Sequence, residues 1–553
     1  MRKKMLLVTL LSTAGIFINL SAQQLPLVYT AENTGATYPV PYLPTLTQLP
    51  VIPSLPDPFE WADGRGRIAH FSDWEYRRTE ISAQIQNYEI GVKPPRPDSI
   101  TASYSAGTLT VNVFVSGKTL TLTSQVILPT GTGPFPAVIG MNSPSGSTPS
   151  TIFSSRNVAQ IAFMHNQVTT YGSPSTTDPY YMLYPSLNPT NTGQYSAWIW
   201  GVSRIIDGLE LVQNSLPIDL KHIAVTGCSY AGKMALFAGA FDERVALTIA
   251  QESGGGGATS WRYTYANTTA SGSDQEEGIG NTDYNWFMNS MSQFAGSNVY
   301  LMPEDHHELM AMVAPRALYV TANPSYIHLS NPSCDVCSRA CAQVYSALGI
   351  PDRFNWSIVG NHTHCAVPDT QVTEIGKLVD KFLLGKDSVV ANYADSPYSI
   401  DLSPWITWTA PTLTSGNSYH GRASLVFPAN LQKGLDTSVT LKWNKATDSN
   451  QYLFQLATDA AFINVVATDS TTDTVKTVSG LSNGGLYYWH IRGKDVSGSI
   501  GPWSDVWSFS TYVSLPNVPQ LLTPAFLHPG QTDSTILIWR KAQYASQYNI
   551  QIS

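Results

Sequence analysis

Apolar and polar residues alternate with period two over 100–104, 108–115 and 118–127, which predicts three half-buried strands. The unbroken apolar run 136–141 that follows reads as a strand covered on both faces. Further short apolar runs at 157–164, 223–226, 246–250, 315–321 and 354–359 predict strands. They interleave with segments of helical spacing at 197–213, 233–241, 337–348 and 372–384, and an earlier helix is expected over 73–88. Strands that alternate with helices imply an α/β fold, a mostly parallel sheet sandwiched between two helical layers.

Past Lys386 the pattern changes. A stretch rich in Pro, Ser and Thr leads into short alternating strands carrying Trp, Tyr and Val. There the run Leu441-Lys442-Trp443-Asn444-Lys445-Ala446, followed by Gln451, Tyr452 and Gln455, recurs as Leu537-Ile538-Trp539-Arg540-Lys541-Ala542, followed by Gln547, Tyr548 and Gln551. The constant offset of about one hundred residues suits one β-sandwich per repeat. Residues 428–512 are therefore expected to form a fibronectin type III-like domain and 513–553 the start of a second, truncated one.

A chain of 553 residues exceeds what one core supports, in keeping with several domains. The N-terminus places Arg2, Lys3 and Lys4 before an apolar stretch that ends at Ser21-Ala22, so 1–22 reads as a secretory signal peptide. Export to the medium or the cell surface is expected, a periplasmic location being compatible, and no later segment would span a membrane. Residues 23–60 read as an extended lead-in, 61–388 as the α/β domain and 389–427 as a linker. The net charge of −8 offers no basic stripe, which argues against nucleic acid or an anionic membrane as partner and favours a small neutral or carbohydrate ligand. A monomer is expected.

Chemistry concentrates in Val225-Thr226-Gly227-Cys228-Ser229-Tyr230-Ala231-Gly232-Lys233, where a β-branched strand gives way through glycines to a helix. Such a strand–elbow–helix lifts a serine hydroxyl above an α/β-hydrolase sheet and leaves backbone N–H groups beside it, so Ser229 reads as a nucleophile and the Tyr230 backbone N–H as an oxyanion donor. A serine needs a base within reach and a third group to orient that base.

From Asp63 to about Lys386 the chain resembles the glucuronoyl esterases of carbohydrate esterase family 15. The resemblance is carried by Trp74-Glu75-Tyr76-Arg77-Arg78-Thr79-Glu80, by 197–207, by 225–262 with Gln251-Glu252-Ser253-Gly254, and by Val359-Gly360-Asn361-His362-Thr363-His364-Cys365. It implies an α/β-hydrolase that cleaves the ester joining a glucuronic acid side group of xylan to a lignin alcohol, so that glucuronoxylan or a lignin–carbohydrate ester is the partner. The resemblance places Ser229 as nucleophile, His364 as base, with His362 the competitor, and Glu252 as the acid. It also implies a Cys228–Cys365 disulfide and a reaction that requires no metal or organic cofactor. Lys233, Gln275 and Asp283 fall on or near the positions that hold the uronate, and His328 lies in the stretch that stands where the family has a tryptophan.

Tyr230 departs from the family, which usually has an arginine there. Two other readings stay open: an esterase acting on another polysaccharide ester such as acetylated xylan, and a non-catalytic glycan-binding descendant. Cys334, Cys337 and Cys341 are expected to form one local disulfide and leave a spare thiol, since no well-spaced fourth ligand supports a metal site. His306 and His307 in Asp305-His306-His307-Glu308 are expected to point apart as capping or solvated residues.

Overall fold

The computed structural model describes residues 25–97, 99–272, 275–418, 421–513, 517–524, 534–543, 545 and 547–552; the expected signal peptide lies outside them. By contact they form two units. The first holds the described residues up to Tyr38, Val51–Phe59 and Ala69–Asn417, and the second holds Pro39–Pro50, Glu60–Ile68 and the residues from Ser418 on.

Ten strands of the first unit build one sheet: β1 (Ser99–Ser105), β2 (Thr108–Val115), β3 (Lys118–Ile127), β4 (Phe135–Met141), β5 (Ala159–Phe163), β6 (Ile218–Cys228), β7 (Leu247–Gln251), β8 (Ala317–Ala322), β9 (Phe354–Ile358) and β10 (Ala394–Asp395). Their order is β1-β2-β3-β5-β4-β6-β7-β8-β9-β10. The first three alternate in burial and pair antiparallel, β3 meeting β5 antiparallel as well. From β5 to β10 every pairing is parallel, and β7, β8 and β9 are buried along their whole length, as their unbroken apolar runs require.

Nine α-helices appear among the described residues: α1 (Asp73–Ile85), α2 (Thr151–Ser154), α3 (Pro179–Leu183), α4 (Gln194–Leu211), α5 (Tyr230–Phe241), α6 (Trp261–Ser271), α7 (His306–Ala311), α8 (Asn331–Ala347) and α9 (Asp369–Phe382). α9 and α2 seat Ile375, Leu378, Val379, Phe382, Ile152 and Phe153 against Val138, Ala224, Leu247, Ile249, Ala317 and Tyr319 of the sheet. α5 lies along β6 and β7 and packs on α4, which is buried almost all round. Ile400, Leu402, Trp405, Ile406 and Trp408, from the stretch expected as a linker, pack beside Leu55, Val336 and Ala340. Among the described residues no helix is long and apolar enough to cross a membrane.

Two expectations change here. Cys334, Cys337 and Cys341 are all free and buried. They share helix α8, where residues three or four apart keep their Cβ atoms about 5–6 Å apart, too far for the roughly 3.5–4.5 Å that a disulfide needs. His306 and His307 do point apart, but both are fully buried, and the cap of α7 is Asp305, whose carboxylate accepts His306 N–H at 2.7 Å. His306 is held between Gly257 O at 2.6 Å and Glu89 Oε2 at 2.9 Å, and His307 Nε2 donates to Pro56 O at 2.9 Å.

Burial pushes the His307 imidazole down to about 4. Because its folded pKa lies below the unfolded value near 6.5, its contribution to stability is complete above pH ~6.5 and is lost as the pH falls towards 4, about 3 kcal/mol in all. The unfolding free energy of the wild type, measured in denaturant at pH 7 and at pH 4, is expected to fall by that much more than that of His307→Gln, which keeps the donor and cannot titrate. Parallel curves for the two proteins would show that this ring does not stay neutral in the fold.

The second unit packs two sheets, β11-β13-β16 and β12-β19-β17-β14-β15 with β18 on β17. The strands are β11 (Ser424–Phe427), β12 (Gln432–Leu435), β13 (Val439–Asn444), β14 (Gln451–Ala457), β15 (Val465–Thr471), β16 (Val475–Val478), β17 (Leu486–Lys494), β18 (Ile500–Trp503) and β19 (Trp507–Thr511). Trp443, Tyr452, Phe454, Tyr487, Trp489, Ile491 and Phe509 fill the core. Outside it, His490 stacks between Phe462 and Trp503 at 3.6 and 3.8 Å. The repeat read from the sequence recurs in contacts: Tyr452 Oη accepts Ala446 N–H at 3.0 Å with its ring 5.6 Å from Trp443, and Tyr548 Oη accepts Ala542 N–H at 2.7 Å with its ring 5.4 Å from Trp539. Residues of the second copy form the two-stranded sheet β20 (Gln520–Thr523) and β21 (Ile538–Arg540).

Candidate active site

β6 ends at Cys228 and α5 begins at Tyr230, so the chain reverses at Ser229 alone, with φ 60° and ψ −130°. A non-glycine residue at positive φ is strained by about 1–3 kcal/mol and persists only where its surroundings hold it. Here Ser229 N–H donates to Gln251 O at 3.0 Å, and Ser229 O accepts Lys233 N–H at 2.9 Å. The flanking glycines are required by space: a Cβ on Gly227 would lie 2.3 Å from Ala231 O, and one on Gly232 2.3 Å from Gln251 O.

β7, next to β6 in the sheet, delivers Glu252 directly after its last residue. Its N–H donates to Thr321 O at 2.9 Å and its carboxylate is buried at 1% exposure. Glu252 Oε2 accepts His364 Nδ1–H at 2.7 Å and Cys365 N–H at 3.2 Å. A proton fixed on Nδ1 leaves Nε2 as the basic nitrogen.

The loop that carries His364 is tied to the elbow by the Cys228–Cys365 disulfide, with Cα atoms 5.7 Å apart, and a ring nitrogen of His364 lies within 4.8 Å of both sulfurs. Ser229 and His364 are thus immediate chain neighbours of the two bridged residues. Ser229 Oγ caps no N–H of α5, and His364 Nε2 holds no hydrogen bond among the described residues, so both remain available to a ligand. Catalytic contacts of this kind commonly tighten only when substrate binds.

His362, the competing imidazole, donates Nε2–H to Val359 O at 2.8 Å, and its Nδ1 stays 3.7 Å from Glu252 Oε1. Asn323, just past β8, reaches both His362 O at 3.1 Å and Glu252 Oε2 at 3.5 Å. Position and chemistry mark it as a support of the carboxylate, and nothing in its sequence context singled it out.

Lys233, one turn into α5, is buried and places Nζ 2.7 and 2.6 Å from the two oxygens of Glu277 and 4.6 Å from the centre of the Trp286 ring. Burial pulls its pKa down while Glu277 opposes the shift. Gln275 O accepts His328 Nδ1–H at 3.1 Å, and His328 O accepts Glu277 N–H at 3.0 Å, which brings the 275–277 and 328 segments together beside Lys233. His328 Nε2 lies 3.9 Å from Glu277, with the ring 64% exposed. Asp283 turns its carboxylate to Asn285, accepting N–H and Nδ2–H at 2.9 Å each, and acts on Lys233 through its charge. Glu277 and Trp286 were missed from the sequence, where Gln275 and Asp283 drew attention instead; an acid two residues past Gln275 was the available signal.

Tyr230 leans into an aromatic cluster with Tyr171 at 4.6 Å, His165 at 5.7 Å and Trp286 at 6.3 Å between ring centres. Its hydroxyl accepts Asn142 Nδ2–H at 2.8 Å and lies 3.2 Å from His165 Nε2. Another aromatic, Tyr326, lies 5.1 Å from the His364 ring, just before the stretch read as replacing the family tryptophan. Among the described residues one group of metal-ligand type stands close together, Cys228, His364 and Cys365, but its sulfurs are consumed by the disulfide.

Residues 111–349 match the family model described as glucuronyl esterase, fungi. The 4-O-methyl-glucuronoyl methylesterase of Schizophyllum commune is 38% identical over 372 residues, covering 65% of this chain and 91% of that protein. Among solved structures, the glucuronoyl esterase catalytic domain of Hypocrea jecorina superposes with a TM-score of 0.62 at 36% identity, covering 68% of this chain and all of its own. A mutant of the Sporotrichum thermophile glucuronoyl esterase in complex with methyl 4-O-methyl-β-D-glucopyranuronate gives a TM-score of 0.61 at 34% identity, covering 66% of this chain and 97% of its own.

Proposed function

The chain belongs to the glucuronoyl esterases of carbohydrate esterase family 15, and on that premise we propose that it is an exported 4-O-methyl-glucuronoyl methylesterase acting on glucuronate esters of xylan, lignin–carbohydrate esters included. The observation that carries the reading is the 2.7 Å Glu252–His364 hydrogen bond, held by the Cys228–Cys365 bridge beside a serine on a strained turn.

The mechanism is two-step acyl transfer. Ser229 Oγ attacks the uronoyl carbonyl carbon as His364 Nε2 takes its proton, and buried Glu252 stabilises the resulting imidazolium. His364 returns that proton to the departing alcohol. Water, activated by the same nitrogen, then releases the uronate. The Tyr230 backbone N–H, first of α5, is assigned as an oxyanion donor. Lys233 keeps one ammonium proton beyond the two directed at Glu277, and with Gln275, Asp283 and His328 it is assigned to holding the sugar. The second unit is read as a fibronectin type III-like spacer, a role supported by its two-sheet core and its repeated Trp–Tyr contact.

Hydrolysis of methyl glucuronate beside an aryl acetate, with Ser229→Ala as control, tests the assignment. Turnover of the glucuronate ester that vanishes in the variant is expected. Turnover of the acetate alone would move the substrate to acetylated xylan, and inactivity on both with retention on xylan would make the protein a glycan binder.

A further inference from the structure

We infer that the side-chain hydroxyl of Tyr230 is a second oxyanion donor of this enzyme, its proton directed at the substrate because Asn142 and His165 occupy both lone pairs of its oxygen. The inference rests on the esterase reading above and concerns how this chain works with a tyrosine where its family resemblance implies arginine.

Asn142 directly follows β4, at φ 67°, with its N–H donated to Phe163 O at 2.8 Å. The β4–β6 register pairs Gly140 with Thr226, so Asn142 stands level with Cys228 and its side chain meets Tyr230 beside the nucleophile. Its amide nitrogen can only donate, which accounts for one lone pair of the phenol oxygen.

The tautomer of His165 accounts for the other. Its Nδ1 is buried and meets no partner at hydrogen-bonding geometry, although the Asn166 side chain interacts with the ring and opposes the effect of burial on its pKa. A buried N–H without an acceptor is costlier than a bare lone pair, so the single ring proton belongs on Nε2 and is donated to the Tyr230 oxygen 3.2 Å away. Burial also lowers the His165 pKa to about 4, which keeps the ring neutral near pH 7. With both lone pairs filled, the phenol's own proton needs an acceptor from outside the pair, and two incoming hydrogen bonds strengthen it as a donor.

Arginine would meet the same partners only after they changed: a guanidinium has no acceptor, so Asn142 would have to turn its Oδ1 towards it and His165 would have to move its proton to Nδ1. In the reaction, Ser229 Oγ bonds to the carbonyl carbon, the π pair moves onto the carbonyl oxygen, and the serine proton passes to His364. Tyr230 hydrogen-bonds that oxygen and keeps its proton. On collapse the pair returns, the C–O bond to the alcohol breaks, and the alcohol leaves with the proton from His364.

The test compares Tyr230→Phe with wild type by kcat and KM on methyl glucuronate and by the rate at which a fluorophosphonate labels Ser229, which needs no sugar recognition. Losing one oxyanion donor should lower kcat and labelling about 100-fold with KM within about threefold. Tyr230→Arg should lose activity as well. Labelling and turnover that both stay within about threefold in Tyr230→Phe overturn the inference, as does wild type that is never labelled. If wild type is labelled but leaves glucuronate esters intact, the substrate reading has failed, and the labelling ratio alone decides the role of Tyr230. As positioning residue, His165 should tolerate Gln, which retains a donor, and lose about tenfold in kcat on change to Leu. Equal losses would overturn its role as donor.

Discussion

Replacing His364 by alanine is expected to lower kcat on a glucuronate ester by about a million-fold while KM changes little, because the imidazole is used in the transition state and not in holding the sugar. Glu252→Gln, which keeps the shape of the side chain but not its charge, is expected to cost about ten-thousand-fold. The amide can still meet His364 Nδ1, but it no longer fixes the tautomer or stabilises the imidazolium. Steady-state kinetics with circular dichroism as a check on folding separate these effects from misfolding. A His364→Ala protein that keeps more than about a hundredth of its activity would move the base elsewhere. His362→Ala serves as the comparison: its ring is spent on Val359 O, so a modest effect is expected.

Removing the disulfide as Cys228→Ser with Cys365→Ser should produce the largest loss of stability. The bridge spans 137 residues of sequence, and closing so long a loop in the unfolded chain is worth up to about 5 kcal/mol. Both cysteines adjoin reacting groups, so the double variant should also lose kcat as the His364 loop loosens against the elbow. Denaturant unfolding and kinetics on the same preparation read both effects. A stability change under about 1 kcal/mol with unaltered kcat would show that hydrogen bonds from Glu252 to His364 Nδ1 and Cys365 N–H hold the loop unaided.

Much of the scaffold was legible because buried parallel strands leave continuous apolar runs, which is why β4 and β7 to β9 were found close to their observed limits. The elbow at Ser229 was legible for a different reason: it needs two glycines close to the serine, one against Ala231 O of the turn and one against Gln251 O of β7. Short helices such as α3 and α7 escaped, since five or six residues carry too little periodicity, and the full burial of His306 and His307 escaped because adjacent polar residues on a helix ordinarily face water.

What the linear chain determined by itself is a strand-to-helix turn that presents a serine, set by local backbone requirements, while Glu252 and His364 were legible through the family resemblance of 251–254 and 359–365. Tertiary structure alone decided which neutral or charged partners those groups meet. Glu277 and Trp286 close on Lys233, Asn323 reaches Glu252, and Asn142 and His165 converge on Tyr230. Each of these contacts joins residues 44 to 88 positions apart in the chain, and so depends on strand order and loop path, which local spacing does not encode.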